Sequence, residues 1–432
     1  MAISRLNFLM RIVRDFVDYI AYLWYMNAMQ KQLSWVEISK EALTHNIEQF
    51  RAKIGPDVKL CPCVKANAYG HGLIPTSNIF LGAGADWLAV NALYEAEALR
   101  EAEVLDNKGD PAPIYIMGYT LLGDLERAWE LDCRVVVYDI ETIERLSRIS
   151  QAGKFDKPLN LHIKVETGNN RQGVRMENLV EFAQKINEID GLRLEGIGTH
   201  FANIEDTTDH TYAMAQLDRF KEAKKLLEEA GIEVPMMHCA NSAATILFDE
   251  VHFDLARVGI SSYGMWPSNE TKVSYQKEHA DSFSLQPALT WKSVVAQVKS
   301  IPSGDFVGYG CTCRMTRKTT MAIVPVGYYD GYDRHLSNKA HVLIRGKRAK
   351  VIGRICMNIM MVDVSDIEGV SVEDEVVLMG KQEFGDGDDK HSDEVSAEQF
   401  AEWIGTINYE VTTRINDRIK RIVVPGGENH NQ

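Results

Sequence analysis

From Trp35 onward the chain alternates short, wholly apolar runs with longer amphipathic stretches. Trp35-Val-Glu-Ile38 reads as a short strand, and Ser39 as the N-cap of a helix reaching about Lys53. Apolar runs at 58–65, 87–92, 114–119, 133–139, 159–166, 192–201, 233–241 and 253–259 are continuous enough to be strands buried on both faces. Most are separated by enough residues for a helix, two of which are plain: Glu177 to Glu188, and Tyr212 to Ala230 closing at Gly231. Eight strands alternating with helices predict an α/β architecture, a closed (β/α)8 TIM barrel rather than an open sheet, over residues 34–280.

Beyond about Leu285 the rhythm changes. Extended runs follow one another at Ala288–Ser300, Thr320–Val326, Ala340–Ile344, Ala349–Ile355, Met360–Val364 and Glu375–Met379, and helical patterning returns only at Ser396–Ile404. Residues 281–432 therefore read as a separate, mainly-β C-terminal domain. At the other end, Leu6, Leu9, Val13, Phe16, Ile20 and Leu23 recur at three- and four-residue steps, predicting an amphipathic helical extension over 1–33. Its uncharged run, Tyr19 to Gln30, is shorter than the roughly twenty residues a bilayer demands. We expect it to pack on the body or on a partner chain rather than to anchor on a membrane surface.

Composition narrows the function. A formal net charge of -14 over 432 residues, with no cluster of Lys and Arg, argues against a nucleic-acid partner and for a small one. Seven cysteines, an odd number, form no secreted disulfide framework and fit the cytoplasm. The pairs Cys61/Cys63 and Cys311/Cys313 lack the usual zinc spacing, so no metal site is expected. The acidic run Gly385–Glu394 breaks calcium-loop spacing at Lys390 and reads as a solvated loop.

In a barrel of this kind chemistry gathers at the C-terminal strand ends. Lys65 ends the first such strand, within Val64-Lys-Ala-Asn-Ala-Tyr-Gly-His-Gly72. Arg171 follows the fifth, His200 ends the sixth, Asn241-Ser242 follow the seventh, and Arg257-Val-Gly-Ile260 end the eighth. Singly each has a dull explanation as surface charge, structural histidine or helix cap. Together they make a mouth lined with chemistry. The Ser242 hydroxyl, the helix amides behind it and the amides of Gly259 and Ile260 could cup a phosphate. A phosphorylated ligand beside a strand-end lysine points to pyridoxal 5'-phosphate held covalently.

These residues carry a resemblance to the bacterial alanine racemase family, of pyridoxal-phosphate fold type III, over about 34–422. Residues 64–72 resemble its cofactor signature. Lys164-Val-Glu-Thr-Gly-Asn-Asn-Arg171, Thr199-His-Phe201, Asn241-Ser242, Arg257–Ile260, Val307-Gly-Tyr-Gly310, Gly353-Arg-Ile-Cys-Met357 and Ile407-Asn-Tyr409 resemble further segments in the same order. The resemblance implies a homodimer whose C-terminal domains complete each other's sites. It implies interconversion of L- and D-alanine, supplying D-alanine for peptidoglycan, with Lys65 holding the cofactor and acting as base on one substrate face. Tyr309 of the partner subunit would act on the other, helped by cationic or hydrogen-bonding neighbours such as His200 and Arg257. It further implies that Tyr69, Ser242, Gly259, Ile260 and Tyr409 hold the phosphate, Arg257 faces the pyridine nitrogen, and Arg171 meets the phenolic oxygen and the substrate carboxylate. The Met357 amide would meet that carboxylate too, and Lys164 matches a lysine many members carry as a carbamate.

Two departures stand out. Asn358 replaces the aspartate common in alanine-specific members, which raises a racemase of wider substrate range as the alternative. Asn169-Asn170 is unusual before Arg171. A noncatalytic pyridoxal-phosphate carrier and a related decarboxylase are further readings; the carrier would lack a second domain, and both would lack Tyr309.

Overall fold

The computed structural model describes residues 32–153, 156–278, 283–385 and 390–426. The amphipathic helix expected over 1–33 falls outside them, save its last two residues. The chain divides into two compact units, Ser39–Ala288 and a second built from Leu289–Val424 together with the strand before Ser39.

In the first unit all eight expected strands form. They are β2 (Lys59–Leu60), β3 (Leu88–Val90), β4 (Ile114–Ile116), β5 (Cys133–Val137), β6 (Leu159–Lys164), β7 (Leu192–Gly198), β8 (Met236–His238) and β9 (Leu255–Ala256). Strands β3 to β8 run parallel in sequence order, and β2 pairs in parallel with β9. The ring closes where Cys63 bridges Ala89, and where the Asp254 and Arg257 amides donate to the Met237 and Ala240 carbonyls, each at 3.1 Å. The strands are shorter than the apolar runs because their C-terminal ends peel off into mouth loops. Strand β7 carries Gly196 and Gly198 where its neighbours carry large residues. A Cβ on Gly196 would lie 2.8 Å from His162 Nδ1, and one on Gly198 would fall on the His238 ring. Both glycines therefore make room for imidazoles inside the barrel.

The second unit comprises β1 (Ser34–Ser39), β10 (Leu289–Val294), β11 (Gln297–Ile301), β12 (Phe306–Val307), β13 (Cys313–Arg314), β14 (Thr319–Val324), β15 (His341–Ile344), β16 (Lys347–Val351), β17 (Met360–Asp363), β18 (Glu375–Phe384), β19 (His391–Val395) and β20 (Lys420–Val424). Its main sheet runs β11-β14-β17-β16-β15-β18-β10-β1-β20, with β19 attached to β18. The expected run 288–300 breaks into β10 and β11. The acidic segment read as loop supplies β19, whose Asp393 is paired with Arg348 of β16 at 2.8 Å. No helix among the described residues is long and apolar enough to cross a membrane.

Candidate active site

Lys65 stands at the mouth just past β2, and the four residues after it adopt left-handed backbone: Ala66, Asn67, Ala68 and Tyr69 have φ of 53°, 54°, 52° and 52°. Non-glycine residues held there cost about 1–2 kcal/mol each, so the surroundings must enforce the turn. Glu95, buried at the head of the helix Leu93–Glu101, does much of this. One carboxylate oxygen accepts the Ala66 amide at 2.6 Å, and the other accepts the Asn91 and Ala92 amides at 2.7 and 3.1 Å. The Asn67 side chain accepts the Leu73 amide at 2.8 Å. Tyr263, fully buried, stacks on Tyr69 with centroids 5.0 Å apart and donates its hydroxyl to the Cys63 carbonyl at 2.7 Å. Lys65 is thus aimed by a rigid backbone rather than by contacts of its own ammonium.

The same turn carries Tyr69 to the neighbouring strand end, past β9, which pairs with β2. There its hydroxyl lies so near Gly259 that a Cβ on that glycine would be 2.8 Å from it, and 3.8 Å from Ser242 Oγ. Ser242 Oγ accepts the Gly259 amide at 2.8 Å and the Ser261 amide at 3.4 Å. Asn241 caps the helix Ser242–Leu247 by accepting the Ala244 amide at 2.9 Å, while its amide donates to Glu205 at 3.0 Å. Both ends of the Asn241 carboxamide are therefore engaged in framing the cup. The turn Ile260–Tyr263 opens onto it, and the buried Ser261 hydroxyl has no hydrogen-bond partner among the described residues. Burial, first, and then the Cys63 and Glu205 charges push the Tyr69 hydroxyl well above its ordinary pKa, so it stays a donor. Hydroxyls and amides converging around a glycine, with one buried hydroxyl unsatisfied, are a donor set that fits a phosphate dianion.

Beside the cup the lining is cationic. Arg257, 5% exposed, donates to His238 Nδ1, to the Thr199 carbonyl at 2.7 Å and to the Cys239 carbonyl at 3.4 Å. Lys164 ends β6; burial, then Arg257 and Arg171, hold its amine well below the usual lysine range. His200, just past β7, is held well below the histidine range by burial and by Lys164, Arg257 and Arg171. It is neutral, so any help it gives a nearby tyrosine is hydrogen bonding and not charge. Arg171 lies exposed on the loop after β6. The two asparagines before it have local reasons. Asn170 occupies left-handed backbone at φ 53°, which asparagine tolerates. Asn169 reaches the His200 and Phe201 carbonyls, each at 3.4 Å.

Within the second unit, Tyr309 and Met357 are 69% and 56% exposed. They sit on neighbouring loops, since a Cβ on Gly310 would meet the Arg354 guanidinium at 2.7 Å. Asn358 donates to the Asp330 carboxylate at 3.3 Å. Tyr409 is half-buried on the short helix Asn408–Thr413.

Glu95, Tyr263, Glu205, His162, His238 and Glu195 escape the sequence reading. A glutamate three residues after an extended strand end is a weak N-terminal signal for the first. Nothing local marks the others.

Residues 38–267 match the family described as "Alanine racemase, N-terminal domain", and 288–423 match "Alanine racemase, C-terminal domain". An alanine racemase of Leptospira interrogans is 39% identical over 90% of this chain and 96% of its own. The Bacillus anthracis alanine racemase with bound L-Ala-P superposes with a TM-score of 0.82 at 33% identity, over 92% of this chain and 96% of that one. The Bartonella henselae alanine racemase with covalently bound pyridoxal phosphate gives 0.76 at 26% identity, over 91% and 100%. With both domains matched in order and the mouth built as described, the chain belongs to the alanine racemase family.

Proposed function

We propose that the protein is a pyridoxal-phosphate-dependent racemase interconverting L- and D-alanine, acting in the cytoplasm as a homodimer with shared sites and serving peptidoglycan synthesis. The observation that carries the reading is the convergence of Tyr69, Ser242 and Gly259 on one cup in the barrel whose mouth presents Lys65. Lys65 would hold the cofactor, with Tyr69, Ser242, Gly259, Ile260 and Tyr409 on its phosphate. When bound, pyridoxal phosphate supplies the electron sink that acidifies the substrate Cα–H.

The chain's own groups do the rest. Arg171 and the Met357 amide orient the substrate carboxylate. Lys65 takes or returns the Cα proton on one face, and Tyr309 of the partner subunit does so on the other. Inversion requires two such bases, because the proton must leave one side and arrive on the opposite one. A tyrosine with an ordinary pKa near ~10 is a weak base at neutral pH, and neutral His200 can hydrogen-bond its oxygen without adding charge. Arg257 would present N–H groups toward the pyridine nitrogen; a guanidinium does not yield a proton, so that nitrogen stays bare. Burial and the neighbouring cations favour the neutral Lys164 amine, the form that can add to carbon dioxide as its nitrogen gives up a proton to solvent; such a carbamate would pair with Arg171. The exposure of Tyr309, Met357, Tyr328, Tyr329 and Ile359 on one unit supports a second copy covering them.

A wider substrate range is not favoured, the similar curated relatives being named alanine racemases. The test is incubation with single L-amino acids in deuterium oxide, following α-deuteration and optical inversion together. Alanine should exchange and invert fastest. Equal exchange across the panel would overturn the alanine assignment, and exchange without inversion would overturn the racemase reading.

A further inference from the structure

Behind the cationic wall of the mouth, a file of polar groups runs through the interior of the barrel. Arg257 donates to His238 Nδ1; His238 Nε2 lies 2.8 Å from His162 Nδ1; His162 Nε2 lies 3.0 Å from Glu195 Oε2. Arg134 meets the same Glu195 oxygen at 3.3 Å, its guanidinium 4.8 Å from the Trp87 ring centroid. His162, His238, Arg257 and Glu195 are 0%, 1%, 5% and 9% exposed. Tyr115 flanks both imidazoles, at 5.0 and 5.4 Å between centroids.

Donor and acceptor arithmetic leaves one proton arrangement. A guanidinium only donates, so His238 Nδ1 must be the bare nitrogen and His238 Nε2 must carry the hydrogen. That hydrogen requires a bare Nδ1 on His162, which then carries its own hydrogen on Nε2, pointed at the Glu195 carboxylate. A protonated His162 would set two N–H groups against each other. The file is therefore directional, with both imidazoles neutral and every link made. It also answers an electrostatic question. Among the described residues, buried Arg257 has no carboxylate hydrogen-bond partner, and an uncompensated buried charge is costly. Glu195, shared with Arg134, puts negative charge at the far end of the file, felt through two polarised rings. Gly196 and Gly198 of β7 give the file its space, which side chains there would fill.

We propose that His162 and Glu195 are positioning residues that act through His238 to fix the hydrogen-bonding state and aim of Arg257. The proposal rests on the racemase reading for the role of Arg257, though the file itself can be observed without it.

The test is ¹⁵N NMR of histidine-labelled full-length protein, with and without pyridoxal phosphate, beside kinetics of Glu195→Gln, His162→Gln and the double variant. Both substitutions keep an acceptor where one is needed while removing the charge or the relay. In the wild type, Nδ1 of His162 and His238 should be bare and Nε2 protonated in both states. Each variant should lower kcat for alanine by on the order of 10-fold in both directions, with KM changed less, as for an interaction felt mainly in the transition state. The double variant should be no worse than either single, as expected of members of one file. Opposite tautomers, a cationic ring, additive losses, or folded variants with unchanged kcat would overturn the proposal. If the variants do not fold, the wild-type tautomers alone decide it. A wild type with the expected tautomers that does not racemise alanine would fail the racemase reading and leave the file standing.

Discussion

Burial and neighbouring cations hold His162, His200 and His238 below the ordinary histidine pKa in the folded protein. A depressed histidine binds its proton more readily when the chain unfolds. Its contribution to stability is full above the unfolded value near ~6.5 and is lost as pH falls below it. Each such residue adds a slope of up to about 1.4 kcal/mol per pH unit until its folded pKa is reached. Lys164, depressed in the same way, makes stability fall as pH drops from its unfolded value near ~10.4 until its folded pKa is reached. On top of that we expect the urea midpoint to fall more steeply below about 6.5, the added fall softening in His162→Gln. A midpoint that is unchanged down to pH 5 would contradict the neutral interior. At this scale the sequence was legible where a side chain's chemistry and its strand-end place coincide, as for Lys65, Ser242 and Arg257. His162 and His238 sit inside strands among apolar residues. Their meaning depends on Gly196 and Gly198 of the strand between them, a relation across three strands that no local pattern carries.

At the level of elements, the left-handed turn Ala66–Tyr69 is the least legible and the most consequential. Alanine gives no warning of positive φ and asparagine only a weak one, and the restraint comes from Glu95 and Tyr263, far off in sequence. The apolar runs, by contrast, announced every barrel strand, because strands covered on both faces must be continuously apolar. Short pairings such as β12 with β13 were missed, being two residues long each. The turn delivers Tyr69 against Gly259, and this makes a prediction. In Gly259→Ala the new methyl would meet the Tyr69 hydroxyl at 2.8 Å. Overpacking of this kind costs about 1–3 kcal/mol, which corresponds to a roughly 5- to 150-fold weaker hold on pyridoxal phosphate. Titration of the stripped enzyme with the cofactor, followed by its visible absorbance, should show that loss. Ser261→Ala, which removes a hydroxyl without a partner, should cost less.

For the whole molecule, a shared site makes a sharper claim than a dimer does. Lys65→Ala and Tyr309→Phe should each be nearly inactive alone. If Tyr309 serves the neighbouring subunit, mixing the two variants after subunit exchange places both defects in one site and leaves the other intact. Random exchange should then restore about a quarter of wild-type turnover. No recovery, with exchange verified by mass, would place both groups in the same subunit. The two-part organisation was legible in the change from alternating strands and helices to strands alone. The company β1 keeps was not, since its partners lie at the other end of the chain.

That pairing has a bearing on how the gene product is assembled. Ile38 stands directly opposite Leu289 in the β1–β10 ladder, and the Ser39 amide donates to the Ala288 carbonyl at 2.8 Å. The whole barrel therefore enters and leaves through one doorway, as a cassette spliced into a hairpin of the β unit. During synthesis β1 emerges first and must wait some 250 residues for β10 and longer for β20, while the barrel between them can already close.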